Sequence, residues 1–308
     1  MPVRRVAALD CGTNSLRLLV ADLDVASGEA VEIDRRTTIV RLGQDVDRTG
    51  AFAPAALART FGILDDYADA IERHGVGVDA VRFVATSAAR DVSNRGDFVS
   101  GVAARLGVEP DVISGDEEAW LSYDGATREL VGRLDLAGPL VVLDIGGGST
   151  EVVTCDAEVG RSLDIGSVRM TERYLHSDPP TGAEVAAVTT AVDEAIDGLH
   201  ARLLSAGTLV GVAGTITTLA AMALGLPTYD RQRIHHAWIE TSALREAIDQ
   251  LIAMPVAARR ELGFMHPGRA DVIGGGALIL GAVVGRLGVP GLLVSEHDML
   301  DGIAWSLA

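Results

Sequence analysis

LVVLDIGGGST, residues 140–150, sets an apolar run before Asp144 and follows it with three consecutive glycines. Leu140, Val141, Val142 and Leu143 are bounded by Gly138-Pro139, too short a run for a comfortable helix and rich in β-branched residues, so they read as a buried strand. Gly146, Gly147 and Gly148 then remove side chains where the strand ends. Glycine costs conformational entropy, and is useful where the backbone takes unusual dihedrals or something approaches closely. Bare N–H groups beside Ser149 and Thr150 would make a cradle for phosphate oxygens. A lone triplet is more simply an ordinary tight hairpin, so the rest of the chain must decide.

The same pattern occurs near the N-terminus. VAALDCGTNSLRLLVADL, residues 6–23, aligns with LVVLDIGGGSTEVVTCDA, residues 140–157, at a constant offset of 134, so that Asp10 falls on Asp144, Gly12 on Gly146 and Ser15 on Ser149. A second echo sets RFVATSAA, residues 82–89, on VGVAGTIT, residues 210–217, with Val84, Ala85 and Ser87 on Val212, Ala213 and Thr215. Two matched pairs in one order predict a duplicated half and two similar lobes, each with a phosphate-type loop on a shared cleft.

Bulk properties narrow the function. The chain has 308 residues, 48% hydrophobic, with a mean hydropathy of +0.27, enough for two domains with real cores. No run approaches the roughly 18 apolar residues of a membrane span, and Met1-Pro2-Val3-Arg4-Arg5 leads into a strand, so a cytoplasmic protein is expected. Cys11 and Cys155 form neither a disulfide framework nor a metal spacing, and each is expected to fill apolar space beside a strand. A net charge of −17 with 4% aromatics argues against nucleic-acid binding, which rests on many Lys/Arg contacts and stacking rings. Any phosphate ligand must meet local positive potential from amides, a few arginines and a divalent cation.

Expected elements follow a repeated order. In the first half, strands over Val6–Asp10 and Leu16–Asp22 flank the CGTNS turn, with strand segments at Glu29–Asp34 and Thr37–Leu42 and a helix from Pro54. Strand Val81–Thr86, a helix through Leu106, strand Glu109–Ile113 and a helix from Asp116 complete a five-stranded β-β-β-α-β-α-β-α layout. The second half has strands Leu140–Asp144, Glu151–Cys155 and Arg161–Ile165, a helix over Ala183–Ser205, strand Thr208–Ala213 and a helix from Thr215. Strand Trp238–Glu240, helix Ser242–Met254, a small-residue helix over Asp271–Leu287 and strand Leu292–Ser295 follow. The stretch 273–288 is apolar enough to be core or the face of a homodimer, and the lobe boundary is placed in a helix between Gly125 and Gly138.

Asp10 and Asp144 each end a strand beside a glycine loop, where a carboxylate can hold hydrated Mg²⁺. If residues 149–153 turn back as a hairpin, Glu151 returns to the same mouth, and its counterpart in the first copy is Arg17. One copy then presents an anion where the other presents a cation. In ISGDEEAWLSY, residues 113–123, Asp116, Glu117 and Glu118 open a helix; dipole capping explains acidic residues there, but three in a row exceed it. Adjacent helix positions diverge by about 100°, so only one of Glu117 and Glu118 can face a cleft squarely, and the local sequence leaves open which.

With these residues assembled, the chain resembles the exopolyphosphatase and guanosine pentaphosphate phosphohydrolase family of the actin, heat-shock protein and sugar kinase superfamily. LDCGTNSLRLLVAD, FVATSAARDVSN, VISGDEEAWLSYDG, LVVLDIGGGSTEVV, SLDIGSVRMTERYL, GVAGTITTLA and HPGRADVIGGGALIL carry the resemblance, in order, from about residue 6 to residue 280. It implies an α/β fold of two duplicated ribonuclease H-like lobes, residues 1–128 and 129–308, with an active-site cleft between them and the last helix a candidate to pack back on the first lobe. It implies hydrolysis of a terminal phosphoanhydride with Mg²⁺, or Mn²⁺ as the alternative ion. Glu118 would be the general base, and Asp144 and Glu151, with Asp10, the metal-associated carboxylates. Asn14, Ser15, Arg17, Arg90, Gly146, Gly147, Gly148, Ser149, Gly214 and Thr215 would line the phosphate channel, with Arg169 a weaker candidate.

The resemblance is to a short form without a C-terminal helical domain, which implies short inorganic polyphosphate as substrate, with guanosine pentaphosphate as the alternative. SEHDMLDG, residues 295–302, departs from the family's final motif. His297-Asp298 is read there as a helix cap with a polar neighbour rather than a metal pair, and His235, His236 and His266 as loop or interface histidines. A kinase or ATPase of the same superfamily is disfavoured by the Glu117-Glu118-Ala119 motif. A non-catalytic polyphosphate or alarmone sensor is disfavoured by Glu118, Asp144 and Glu151 together.

Overall fold

The structure, a computed structural model, describes residues 3–90, 92–133, 135–136, 138–154, 160–197, 199 and 207–308. Backbone contacts divide the chain into two compact units, Met1–Gly125 with Met299–Ala308, and Ala126–Asp298.

The first unit runs β1 (Arg4–Cys11), β2 (Ser15–Asp24), β3 (Glu29–Ile39), α1 (Val46–Thr49), α2 (Pro54–Arg73), β4 (Val81–Ala85), α3 (Ser87–Arg90), α4 (Arg95–Leu106), β5 (Asp111–Val112) and α5 (Gly115–Thr127). Its sheet has the order β3-β2-β1-β4-β5, with β1 antiparallel to β2 and parallel to β4. Strand alternation sends Ala7, Leu9 and Cys11 to one face, where they pack with Leu64 of α2 and Phe98 of α4. Val6 and Ala8 go to the other, with Leu121 of α5 and with Leu300 and Ile303 near the chain's end. The segments expected at Glu29–Asp34 and Thr37–Leu42 are one strand, β3; Arg35 and Arg36 look like a break in sequence, but Arg36 pairs with Asp34 and Arg35 with Glu32 and Asp301. Charged side chains of this kind suit a sheet edge. Burial pushes the Cys11 thiol pKa up, consistent with a packing role.

The second unit continues with β6 (Leu140–Ile145), β7 (Thr150–Thr154), β8 (Arg161–Leu163), α6 (Ser167–Tyr174), α7 (Gly182–Asp197), β9 (Thr208–Val212), α8 (Ala213–Ala223), α9 (Arg231–Ile234), β10 (Trp238–Glu240), α10 (Thr241–Ala253), α11 (Val256–Arg260), α12 (Ile273–Leu287) and β11 (Gly291–Val294). The final helix, α13 (Met299–Trp305), belongs to the first unit, where Arg82 donates to Ser306 Oγ at 2.8 Å. The second sheet has the order β10-β11-β9-β6-β7-β8, so β8-β7-β6-β9 reproduces β3-β2-β1-β4.

The duplication holds at single hydrogen bonds. Gly12 N–H donates to Ser15 O at 3.0 Å, and Gly146 N–H to Ser149 O at 3.0 Å. Asp10 lies opposite Arg17 and alongside Val84; Asp144 lies opposite Glu151 and alongside Val212.

Several expectations are corrected. The helix placed between Gly125 and Gly138 ends at Thr127. The helix over Ala183–Ser205 is α7, ending at Asp197; Gly198 and residues 200–206 lie outside the described residues, as does Cys155. Of the two alternatives for the stretch 273–288, core is the one observed for α12, which buries Ile273, Ala277, Ile279, Leu280, Val283 and Val284 in the unit's own core. Helix α6 has no apolar pattern to mark it, since its sequence, SVRMTERY, is mostly polar. Among the described residues, no helix is long and apolar enough to cross a membrane.

Candidate active site

Asp144 sits at the end of β6, directly opposite Glu151 on β7, and the two residues are 7% and 1% exposed. Directly opposed residues of an antiparallel pair project from the same face, and like charges there repel. Ser162 Oγ donates to Glu151 Oε1 at 2.7 Å, which aims one oxygen of the pair. Two carboxylates so placed are the hard oxygen donors that Mg²⁺ or Mn²⁺ prefers, so the residues fit a divalent cation.

The glycine loop between these strands is held by its carbonyls. Gly146 O accepts from Ser167 N–H at 2.9 Å and Gly147 O from Val168 N–H at 2.8 Å, so the first turn of α6 uses its otherwise unsatisfied donors on the loop. Arg169 Nε donates to Gly148 O at 2.9 Å. A Cβ on Gly166 would lie 2.4 Å from Gly147 O, so only glycine lets α6 approach the loop this closely. With the carbonyl side engaged by α6, the amides of the loop are the groups suited to an anion. This arrangement accounts for α6 forming from polar sequence.

In the first unit the equivalent loop carries Asn14 and Ser15. Asn14 O accepts from Val40 and Arg41 N–H at 3.0 and 2.9 Å, which joins the loop to the chain after β3. Thr13 Oγ1 and Ser87 Oγ lie 3.1 Å apart. Arg17 Nε donates to Asp10 Oδ2 at 2.6 Å, so the first copy neutralises internally the position that is doubly acidic in the second.

The neighbouring glutamates separate as helix geometry requires. Glu118 is buried and accepts from Arg90 Nη1 at 2.7 Å, whereas exposed Glu117 pairs with Arg82 at 2.7 Å. Arg90 also donates to Ile113 O at 3.3 Å, so its guanidinium bridges the start of α5 to the end of the β5 segment. Alternation places Asp10 on the same sheet face as Val6 and Ala8, the face covered by α5.

Gly214 and Thr215 open α8 immediately after β9, the strand beside β6. Ala213 has φ 67°, a left-handed conformation uncommon for a residue with a Cβ, and such strain concentrates at functional turns. Arg269 Nη1 donates to Gly214 O at 3.1 Å and to Thr218 Oγ1 at 3.2 Å. Nothing in the sequence marks Ala213 as left-handed, and the signal for Arg269 is an arginine next to Pro267-Gly268 in so acidic a chain. The structure thus brings together Asp10 with Arg17, Arg90 with Glu118, Asp144 with Glu151, and Gly146–Gly148 with Arg169.

The chain is similar along nearly its whole length to known proteins. Residues 23–307 match the model of the Ppx/GppA phosphatase family. Exopolyphosphatase 2 of Mycobacterium tuberculosis is 50% identical over 324 residues, covering 100% of each chain. A solved structure described as an exopolyphosphatase-like protein superposes with a TM-score of 0.92 at 40% identity, over 99% of this chain and 98% of that one. The Aquifex aeolicus member of the Ppx/GppA family does so with a TM-score of 0.79 at 30% identity, over 99% and 97%. Two sheets of repeated topology, each with a strand–glycine loop–strand hairpin, and similarity over the whole length establish that this chain belongs to the Ppx/GppA phosphatase family.

Proposed function

We propose that the chain is an exopolyphosphatase that hydrolyses the terminal phosphoanhydride of inorganic polyphosphate in the presence of Mg²⁺. The observation that carries this reading is the buried, directly opposed Asp144 and Glu151 beside a triple-glycine loop, which combines a site for a divalent cation with a cradle of amides. End-to-end similarity to a protein named Exopolyphosphatase 2 supports it.

Glu118 is the general base in this account. Buried and fixed by Arg90, it accepts a proton from the attacking water as that water's oxygen bonds to the terminal phosphorus and the bridging oxygen departs with the shortened chain. Asp144 and Glu151 would hold the divalent cation, which would supply positive charge to the phosphate oxygens. Asp10 orients Arg17 through their ion pair, and Arg17 contacts phosphate with Asn14 and Ser15. The amides of Gly147, Gly148 and Ser149 bind equatorial oxygens, while Arg169 braces their loop; Gly214 and Thr215 contribute a second amide turn. Polyphosphate has no base to recognise, so these donors suffice for a ligand that an acidic surface would otherwise repel.

Turnover in ¹⁸O-labelled water tests the reading against its alternatives. Inorganic polyphosphate is expected to yield singly labelled orthophosphate at a higher kcat/KM than guanosine pentaphosphate or ATP. A higher kcat/KM for guanosine pentaphosphate would reassign the substrate, and phosphate transfer from ATP to an acceptor without labelling would reassign the reaction.

A further inference from the structure

The second unit gathers three histidines around one carboxylate. Glu129 follows α5, His235 and His236 form the turn between α9 and β10, and His297 follows β11. Glu129 Oε2 lies 3.2 Å from His235 Nε2, 3.5 Å from His297 Nδ1 and 3.8 Å from His236 Nε2. One ligand atom each from Glu129, His235 and His297 falls within 4.8 Å of the others. The sequence separates these groups by more than 160 residues, so only the fold makes them a set.

The spacings match a particular chemistry. Two ligands on a tetrahedral ion at bond lengths of about 2.0–2.1 Å are about 3.3–3.4 Å apart, and the observed separations bracket that value. Imidazole nitrogen with carboxylate oxygen is the donor set of Zn²⁺ and its borderline neighbours, not of Mg²⁺.

Two further observations point the same way. His236 adopts φ 60°, a conformation uncommon for a residue with a Cβ, and is held there by its N–H to Val294 O at 2.7 Å. Its Nε2 is buried without a hydrogen-bond partner, and its ring stacks on that of His235 with centroids 3.8 Å apart. A buried ring nitrogen without a partner is costly unless something occupies its lone pair.

We infer that Glu129, His235 and His297, with His236 at the fourth position, form a binding site for a zinc-class transition-metal ion distinct from the Asp144–Glu151 pair. The Glu296 amide donates to His235 Nδ1 at 3.1 Å, so without an ion that ring carries its proton on Nε2, directed at Glu129. A bound ion replaces this proton at Nε2; the proton passes to Nδ1, and the Glu296 amide gives up its bond. The ion then clamps three segments of the second unit, the stretch after α5, the α9–β10 turn and the stretch after β11, which is a structural role.

Zn²⁺ and Co²⁺ titrations of the full chain test the inference. Equilibrium dialysis is expected to find one Zn²⁺ per chain, and Co²⁺ to give the intense visible d–d bands of a tetrahedral site. His297→Ala and Glu129→Gln should each weaken Zn²⁺ binding at least tenfold, while Asp144→Asn changes it less than twofold. Absence of stoichiometric binding, or binding lost in Asp144→Asn and kept in His297→Ala, overturns the site. The native chain supplies a readout that needs no variant: Zn²⁺ should protect His235 and His297, but not exposed His176, from diethyl pyrocarbonate. Equal modification of all three with and without Zn²⁺ would overturn it as well.

Discussion

Asp144 and Glu151 face one another in register across the β6–β7 hairpin, where the corresponding pair of the first unit is Asp10 and Arg17. The duplicated hairpin therefore holds an ion pair in one copy and two carboxylates in the other. Glu151→Gln relieves the repulsion and keeps an oxygen for Ser162. In EDTA, calorimetry should find the variant's Tm raised by about 1–3 °C, from about 0.2–1 kcal/mol of like-charge strain. Mg²⁺ should stabilise the native chain more than the variant. A variant that melts lower than native in EDTA would remove the repulsion from the account.

The divergent helix directions of Glu117 and Glu118 give a paired prediction. Glu118→Gln should lower kcat by about 10²–10⁴-fold, the usual worth of a general base. Glu117→Gln, which only loosens an exposed contact to Arg82, should stay within twofold in a steady-state phosphate assay.

Arg90 donates to Glu118 at 2.7 Å, so its effect on turnover is expected to pass through that carboxylate. Arg90→Met should lower kcat by about 10–100-fold, through misplacement of the base, with a smaller change in KM. Arg90→Lys, which restores a cation but not the same reach to Ile113 O, should recover part of the loss. A rise in KM with kcat kept would reduce Arg90 to a phosphate contact.

Helix α13 packs against α5 through a glycine. A Cβ on Gly302 would lie 2.0 Å from Leu121 O, and backbone cannot yield as a flexible side chain can. Gly302→Ala should cost about 1–3 kcal/mol in denaturant unfolding, the range for overpacking, and expose the α13 amides to hydrogen exchange.

Acid should unfold the second unit partly through Glu184. Its carboxylate accepts from Thr181 N–H at 2.7 Å and from His176 and Ser177 N–H at 2.9 Å, and Glu184 N–H donates back to Thr181 Oγ1, a reciprocal cap on α7. These bonds, the Thr181 amide first, pull its pKa down to about 2 from 4.5. Because the folded value is the lower one, this stabilisation is full above pH 4.5 and is lost as pH falls toward 2. Glu184→Gln should therefore lower Tm at pH 7, and the gap to native should close across that acid window. A gap independent of pH would mean that the charge contributes nothing.

The repeat is legible in the sequence because its signals are local. Asp10 and Asp144 stand at equal distances from their glycines, and the unbroken burial of β1 from Val6 and of β6 from Val141 follows from the apolar runs. Elements whose stability comes from distant partners are not legible. The polar α6 is ordered by carbonyls of Gly146 and Gly147, about twenty residues earlier in the chain, and β3 is completed at Arg35 by Asp301. Glu117 and Glu118 are indistinguishable as letters, and the rotation between them assigns one to Arg82 and the other to Arg90. His235, His236 and His297 look like unrelated loop histidines until the sheet sets β10 beside β11.

Phosphate release from polyphosphate by the native chain and by Glu118→Gln, each in Mg²⁺ and in EDTA, decides between a metal-assisted hydrolase with Glu118 as base and any other reading. Release is expected from the native chain in Mg²⁺ alone, and Glu118→Gln should bind polyphosphate with native affinity yet release phosphate at least a hundredfold more slowly. Native-rate release by Glu118→Gln, or release undiminished in EDTA, would contradict it.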